Sequence, residues 1–182
     1  MKRKLIPAML MSVVSLSVVA SMAPAAQQDK YSLKSPNGVE YSDFKGYEDW
    51  QDVAVSETDN DIKAIVANPI MIAAYKSGIP GNGKPFPDGS KIVKIEWKHK
   101  ANPVSPYAVQ IPDALDAVAF IEKDSKRFPD TSGWGYTQLN YDPVSSTFKP
   151  YGTNATFGKD TCYACHTIVK NQDYIFTVYH LR

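Results

Sequence analysis

Two cysteines and a histidine stand together near the end of the chain, in the order Cys162-Tyr163-Ala164-Cys165-His166, and these are its two cysteines. A Cys-x-x-Cys-His motif is typical of a c-type haem, in which both thiols form thioethers with the haem vinyl groups. The adjacent histidine then binds the iron from the proximal side. A disulfide redox motif would not explain the histidine, and a zinc site would need a second pair of ligands. The motif therefore predicts one covalently attached haem c, held by Cys162, Cys165 and His166.

The opposite side of the iron has no methionine ligand in the expected place. Residues 167 to 182 contain no methionine, and Met71 is the one methionine after residue 25. His99 and His180 stand in polar or terminal stretches, where a histidine is more often on the surface. We therefore predict an open distal side that binds a small ligand. An electron-transfer cytochrome is the alternative, and it would need His99 or His180 as its sixth ligand.

The first 25 residues have the pattern of a cleaved secretory signal peptide. Lys2, Arg3 and Lys4 precede an apolar stretch, and Ala23 and Ala25 suit the small positions before a cleavage site. An uncleaved membrane anchor is the alternative, but the apolar stretch is short for spanning a bilayer. We therefore predict export to the periplasm as a protein without a membrane anchor.

Composition predicts a single globular domain without a nucleic-acid partner. The chain has 182 residues, 43% of them hydrophobic, with 20 Lys and Arg against 19 Asp and Glu, so it lacks the basic excess that draws in phosphates. We predict a flexible lead-in over residues 26 to 46 and one haem domain over residues 47 to 182.

The elements of this domain follow from alternating apolar residues and from turn signals. Asn68-Pro69 predicts the start of a short helix that runs to Gly78, and the Gly- and Pro-rich stretch 78 to 89 predicts a loop. Pro103 to Pro112 is interpreted as an insertion between strands. The fold class is α+β, mainly an antiparallel β-sheet with a few short helices. Strands are predicted near residues 50–55, 62–66, 90–98, 118–121, 135–141 and 174–179.

Four stretches of the chain resemble the cytochrome P-460 family, which also contains the sheet-built cytochromes c′-beta. They are AIVANPIMIAAYKSG, IPGNGKPFPDGSKIVKIEW, VAFIEKDSKRFPDTSGWGYTQLNYD and CYACHTIVKNQDYIFTVY, and the resemblance covers roughly Tyr47 to Tyr179. It implies a homodimer with one haem c per chain. In the catalytic members a lysine is bonded to a meso carbon of the porphyrin, and the corresponding position here is Lys94. Lys94 alternates away from Val93 and Ile95, which is consistent with a haem on its side of the strand.

The resemblance also implies a reaction, which is the oxidation of hydroxylamine to nitrous or nitric oxide, with electrons passed to an acceptor such as a redox partner cytochrome. Proton removal from hydroxylamine requires a carboxylate on the distal side. Active members carry it in the loop before the haem motif, where Asp160 is the one acid in residues 152 to 161. Phe157 stands nearer the expected position. Asp160 is therefore the candidate distal acid.

The alternative function is nitric oxide binding or detoxification, as in the cytochromes c′-beta. An apolar distal wall favours neutral diatomic ligands over anions and water. Phe86, Phe120 and Phe157 are the candidate wall residues. The Lys94 bond and a working distal base distinguish hydroxylamine oxidation from this alternative.

Overall fold

A computed structural model describes residues 28–182, so the predicted signal peptide lies outside the described residues. Its centre is a six-stranded antiparallel sheet in which each strand pairs with the next along the chain. The α+β fold with a mainly antiparallel sheet is therefore confirmed. The strands are β1 Gln51–Glu57, β2 Asp61–Ala67, β3 Lys91–Ala101, β4 Gln110–Lys123, β5 Trp134–Asp142 and β6 Thr147–Pro150, and the α-helices are α1 Pro69–Lys76 and α2 Ala164–His166.

The register between strands decides which residues share a face of the sheet. Lys94 on β3 lies opposite Ile65 on β2 and Ala119 on β4. Ala119 in turn lies opposite Gln138 on β5. Because side chains at paired positions point to the same side, these four residues share one face, which we call the site face. The alternation that predicted Lys94 to point away from Val93 is therefore present in the sheet.

The opposite face is covered by the segment before β1. Val39, Tyr41 and Phe44 are fully buried there, together with Phe120 of β4. The described part of the predicted lead-in, residues 28 to 46, contains short 3-10 helices and packs these side chains against the sheet. The polar composition of this segment concealed a few apolar side chains, and their burial against the sheet stabilises its ordered structure.

Helix α1 packs on the site face and begins as the sequence predicts. The Asn68 side chain accepts a hydrogen bond from the Met71 amide at 3.0 Å, and Pro69 occupies the first helical turn. Met71 and Tyr75 are buried in the core of this face. The two clusters of buried side chains therefore lie on opposite sides of one sheet.

The predicted strand at residues 174–179 is wrong. From Ile175 onward this stretch has no regular secondary structure, and it pairs with no strand of the described chain. Its backbone oxygens are used elsewhere, because Tyr174 accepts from His166 and Thr177 accepts from the Tyr75 hydroxyl at 3.0 Å. Strand β6 and the early part of β4 were not predicted, and in β4 Pro112 of the predicted insertion lies opposite His99.

Candidate haem site

A cavity of about 350 Å³ lies between the site face and the C-terminal segment. Its volume is within the range of small-molecule and cofactor sites. Lys94 lines it together with Cys162, Cys165 and His166, so the fold brings these predicted residues to one place. Most of the remaining lining is apolar. The other lining residues include Ile65, Ile92, Ala119, Ile121, Tyr136, Gln138, Ile175, Phe176 and Thr177.

The two cysteines are placed by a helical segment that docks on β5. A π-helical turn over Gly158–Tyr163 continues into α2 Ala164–His166, which puts Cys162 and Cys165 about one turn apart. Both are free thiols, Cys162 half-buried and Cys165 exposed. Gly158 allows the backbone of this helical segment to lie close to β5, since a Cβ at this position would lie 2.8 Å from the Tyr136 carbonyl oxygen. The thiols can therefore reach a planar group lying in the cavity.

One ring nitrogen of His166 is hydrogen-bonded to the backbone, and the other does not take part in that hydrogen bond. Its Nδ1 lies 2.6 Å from the carbonyl oxygen of Tyr174, which can only accept, so Nδ1 carries the proton and Nε2 keeps its lone pair. Burial lowers the pKa of His166, and the charge of Lys94 acts in the same direction. The imidazole is therefore neutral and suited to bind a metal ion through Nε2.

Lys94 projects from β3 into a small group of charges. Its Nζ lies 2.9 Å from one oxygen of Glu96, and the Nζ of Lys63 lies 3.6 Å from the other. Both lysines line the cavity. Burial raises the pKa of the Cys162 thiol, and the positive charge of Lys94 offsets part of that rise. Lys94 is thus close enough to the haem motif for its positive charge to lower the pKa of both the Cys162 thiol and the His166 imidazole.

The predicted distal acid lies elsewhere. Asp160 is exposed and is not part of the cavity lining. Asp160 was chosen as the one acid in residues 152 to 161, and in the π-helical turn over Gly158–Tyr163 it is exposed to solvent. Glu96 is the acid that ion-pairs with the cavity lysines, and it was not among the predicted site residues.

The three candidate wall phenylalanines also lie outside the cavity lining. Phe120 is on the opposite face of the sheet, and Phe86 packs edge-on against Tyr75 and Trp134. Phe157 packs edge-on against Tyr151. Phe86 and Phe120 belong to the two core clusters and Phe157 packs on an exposed tyrosine, so residue type alone could not locate them.

Neither alternative sixth ligand reaches the cavity. The ring nitrogens of His99 lie 3.2 Å from the Gln110 side chain and 3.1 Å from the Asp59 carbonyl oxygen. His180 lies beside Asp52 and Val53 at the edge of the sheet.

Two aromatic residues next to His166 were missed by the sequence analysis. The ring centroid of Tyr136 lies 4.8 Å from that of His166, and the ring of Phe176 lies 4.9 Å from it on an edge-on approach. The hydroxyl of Tyr136 is buried and has no hydrogen-bond partner within residues 28–182. The alternation of β5 could have indicated Tyr136, because it shares a face with Gln138.

Comparison with protein families assigns this site to a class. The model of the family described as Cytochrome P460 matches residues 44–177 of the chain. The protein therefore belongs to the cytochrome P460 family, and the resemblance that the sequence suggested is confirmed. A search of curated proteins found no matching relative.

Membership of this family makes the protein a cytochrome that binds haem and iron. The residues of the cavity fit that group: paired thiols, a neutral imidazole with a free Nε2, apolar walls and a buried hydroxyl without a partner. Within residues 28–182 no helix is both long and apolar enough to span a bilayer.

Proposed function

We propose that the protein is a periplasmic cytochrome with one covalently bound haem c that oxidises hydroxylamine to nitrous or nitric oxide. Cys162 and Cys165 would attach the haem, and His166 would bind its iron through Nε2. The observation that carries this proposal is the presence of Lys94 in the same cavity as the haem motif. Lys94 is the position that corresponds to the porphyrin-bonded lysine of the catalytic family members.

The residues around the cavity have separate roles in this proposal. The haem supplies an iron that binds the substrate and takes up its electrons. A bond between Lys94 Nζ and a porphyrin meso carbon would replace one N–H bond and the meso C–H bond, with two electrons passed to an oxidant during haem maturation, and it would distort the macrocycle, which is one means of tuning haem electronics. That bond would also remove the ammonium charge of Lys94 and leave Glu96 paired with Lys63 alone. Glu96 is not part of the cavity lining itself, but its carboxylate contacts two lysines that are, so we assign proton acceptance to Glu96 in place of Asp160, which faces solvent.

Nitric oxide binding without turnover is the second candidate function, and the apolar lining supports it. Ile65, Ile92, Ala119 and Ile121 form the apolar part of the sheet side of the cavity, beside Lys63, Lys94 and Gln138. Apolar walls disfavour water and anions near the iron and leave neutral diatomic ligands as the preferred occupants. In this case Lys94 would stay unbonded and paired with Glu96.

Hydroxylamine turnover by haem-loaded protein separates these two functions. The experiment compares wild type with Lys94→Arg and, as a matched control, Lys63→Arg, because both lysines line the cavity and pair with Glu96. We expect an electron-accepting dye to be reduced by wild type and Lys63→Arg and at least tenfold more slowly by Lys94→Arg. A wild type that binds nitric oxide but reduces no dye would overturn hydroxylamine oxidation and support the second function.

The cellular setting is part of the same proposal. We infer export through the signal peptide at residues 1–25, release into the periplasm, and electron transfer to a partner cytochrome. The family resemblance supports a homodimer. Sedimentation of the haem-loaded protein tests that assembly, and a monomer at micromolar concentration would contradict it.

A further inference from the structure

A buried ion pair lies behind the haem motif and outside the cavity. The Nζ of Lys123, at the end of β4, lies 3.0 and 3.1 Å from the two carboxylate oxygens of Asp173. The side chains of Lys123 and Asp173 are 6% and 11% exposed. Neither residue lines the cavity that holds Lys94 and the haem motif. The pair is therefore not explained by direct contact with the haem.

Both members of the pair have further partners. The Nζ of Lys123 donates to the Ser132 carbonyl oxygen at 2.9 Å and lies 4.8 Å from the centroid of the Trp134 ring. A carboxylate oxygen of Asp173 accepts from the Phe86 amide at 2.8 Å. A buried ion pair is tolerated when its remaining hydrogen-bonding groups are satisfied in this way. The pair thus joins β4, the loop that contains Phe86 and the C-terminal segment.

The backbone at Asp173 and Tyr174 is left-handed, and the Tyr174 carbonyl is hydrogen-bonded to His166. Asp173 and Tyr174 have φ values of +49° and +64°, a region that residues other than glycine seldom adopt. Such conformations persist when surrounding contacts hold them. The carbonyl oxygen of Tyr174 is the group that accepts the Nδ1 hydrogen of His166 at 2.6 Å. The side chain of Asp173 is therefore anchored one residue before the carbonyl that orients the imidazole.

We propose that Lys123 and Asp173 are positioning residues for His166. They hold the left-handed turn at 173–174, and the turn places the Tyr174 carbonyl against Nδ1. This inference rests on the proposed role of His166 as the iron ligand. A hydrogen bond to the second ring nitrogen raises the basicity of a metal-binding histidine and fixes its orientation. Loosening the turn weakens that bond, so His166 becomes a poorer electron donor to the iron.

The variant that tests the inference is Asp173→Asn, which removes the charge and keeps an oxygen for the Phe86 amide. The haem-loaded protein is reduced and its iron–histidine stretching band is recorded by resonance Raman spectroscopy, together with the midpoint potential. We expect the band to move to lower frequency and the potential to rise relative to wild type. Lys123→Met should shift both in the same direction, and Lys123→Arg should restore part of the wild-type values.

An exposed ion pair near the same segment provides the control. Lys159 and Asp130 lie 3.5 Å apart with side chains 51% and 79% exposed, so Asp130→Asn should leave both measurements unchanged. The inference would be overturned if soluble, haem-loaded Asp173→Asn kept the wild-type iron–histidine frequency and midpoint potential. It would also be overturned if Asp130→Asn shifted both quantities as much as Asp173→Asn does. If wild type itself lacks an iron–histidine band, the proposed five-coordinate iron with His166 as its protein ligand fails instead. If Asp173→Asn does not load haem, Lys123→Arg and Lys123→Met decide the question by the same two measurements.

Discussion

Replacement of Phe120 by alanine should destabilise the protein strongly without changing its haem site. Phe120 is fully buried, and its ring makes edge-on contacts with Tyr41, Phe44 and Tyr47 at centroid distances of 5.4, 5.1 and 5.5 Å. Truncation of a buried phenylalanine costs about 3–5 kcal/mol in total. Three ring pairs, each worth about 0.5–1.5 kcal/mol beyond area burial, place Phe120 toward the upper end of that range, so we expect a loss of about 4–5 kcal/mol.

The assay is urea unfolding of haem-loaded protein followed by circular dichroism, with the visible absorption spectrum recorded before denaturant is added. Phe120→Leu is the matched control, because it keeps most of the buried volume and should cost about 1.5 kcal/mol or less. Phe176→Ala is the opposite case. Phe176 is 48% exposed and touches the ring of His166, so its removal should change the spectrum more than the stability.

The assignment of Phe120 to the sheet face away from the haem would be refuted by a spectral change without a loss of stability. If Phe120→Ala unfolds at nearly the wild-type urea concentration and alters the haem spectrum, Phe120 faces the haem and the assignment of the two sheet faces is wrong. The expected pattern places the segment before β1 on the face away from the haem.

Three further substitutions test the local geometry in the haem-loaded protein, each by urea unfolding. Gly158→Ala should destabilise by about 1–3 kcal/mol, because its Cβ would lie 2.8 Å from the Tyr136 carbonyl oxygen, and a wild-type midpoint would contradict this. Asn68→Ala should lower the free energy of unfolding by about 2 kcal/mol, because the side chain caps α1 at the Met71 amide and makes two more hydrogen bonds to the backbone. Asn68→Asp is the control because it keeps the capping acceptor. A loss near zero for the alanine variant would be evidence against the cap. Burial raises the pKa of the Glu122 carboxyl, so the native state holds a proton there more readily than the unfolded chain does. The contribution of this carboxyl to the free energy of unfolding is therefore full below the ordinary carboxyl pKa and falls as pH rises through the raised pKa. Glu122→Gln should remove that part of the pH slope, and identical slopes in the two proteins would disprove it.

The sheet was predictable because its strands alternate. On β3, Val93 and Ile95 point to the N-terminal segment while Ile92 and Lys94 point to the cavity, as a period of two requires. The same rule failed at residues 174–179. Their alternation places Ile175 in the core, but the preceding left-handed turn directs the chain across the cavity instead of along a strand.

The haem motif was predictable because its chemistry needs a fixed local spacing, whereas the surroundings of Lys94 depend on contacts between strands. Glu96 is an ordinary outward-facing acid in the sequence, and its pairing with Lys63 follows from the register of β2 with β3. The register depends on which hydrophobic side chains are buried along both strands. Asp160 was chosen because it is the one acid in residues 152 to 161, and its residue type could not show that the π-helical turn leaves it exposed.

The central claim is that Lys94 and the haem motif hold the same haem. The most direct test is mass spectrometry on a protease digest of protein matured with its haem in a bacterial periplasm. We predict that the peptide containing Lys94 travels with the haem and with the peptide containing Cys162 and Cys165. A fully loaded protein whose haem carries the cysteine peptide alone, with the Lys94 peptide unmodified, would contradict the account.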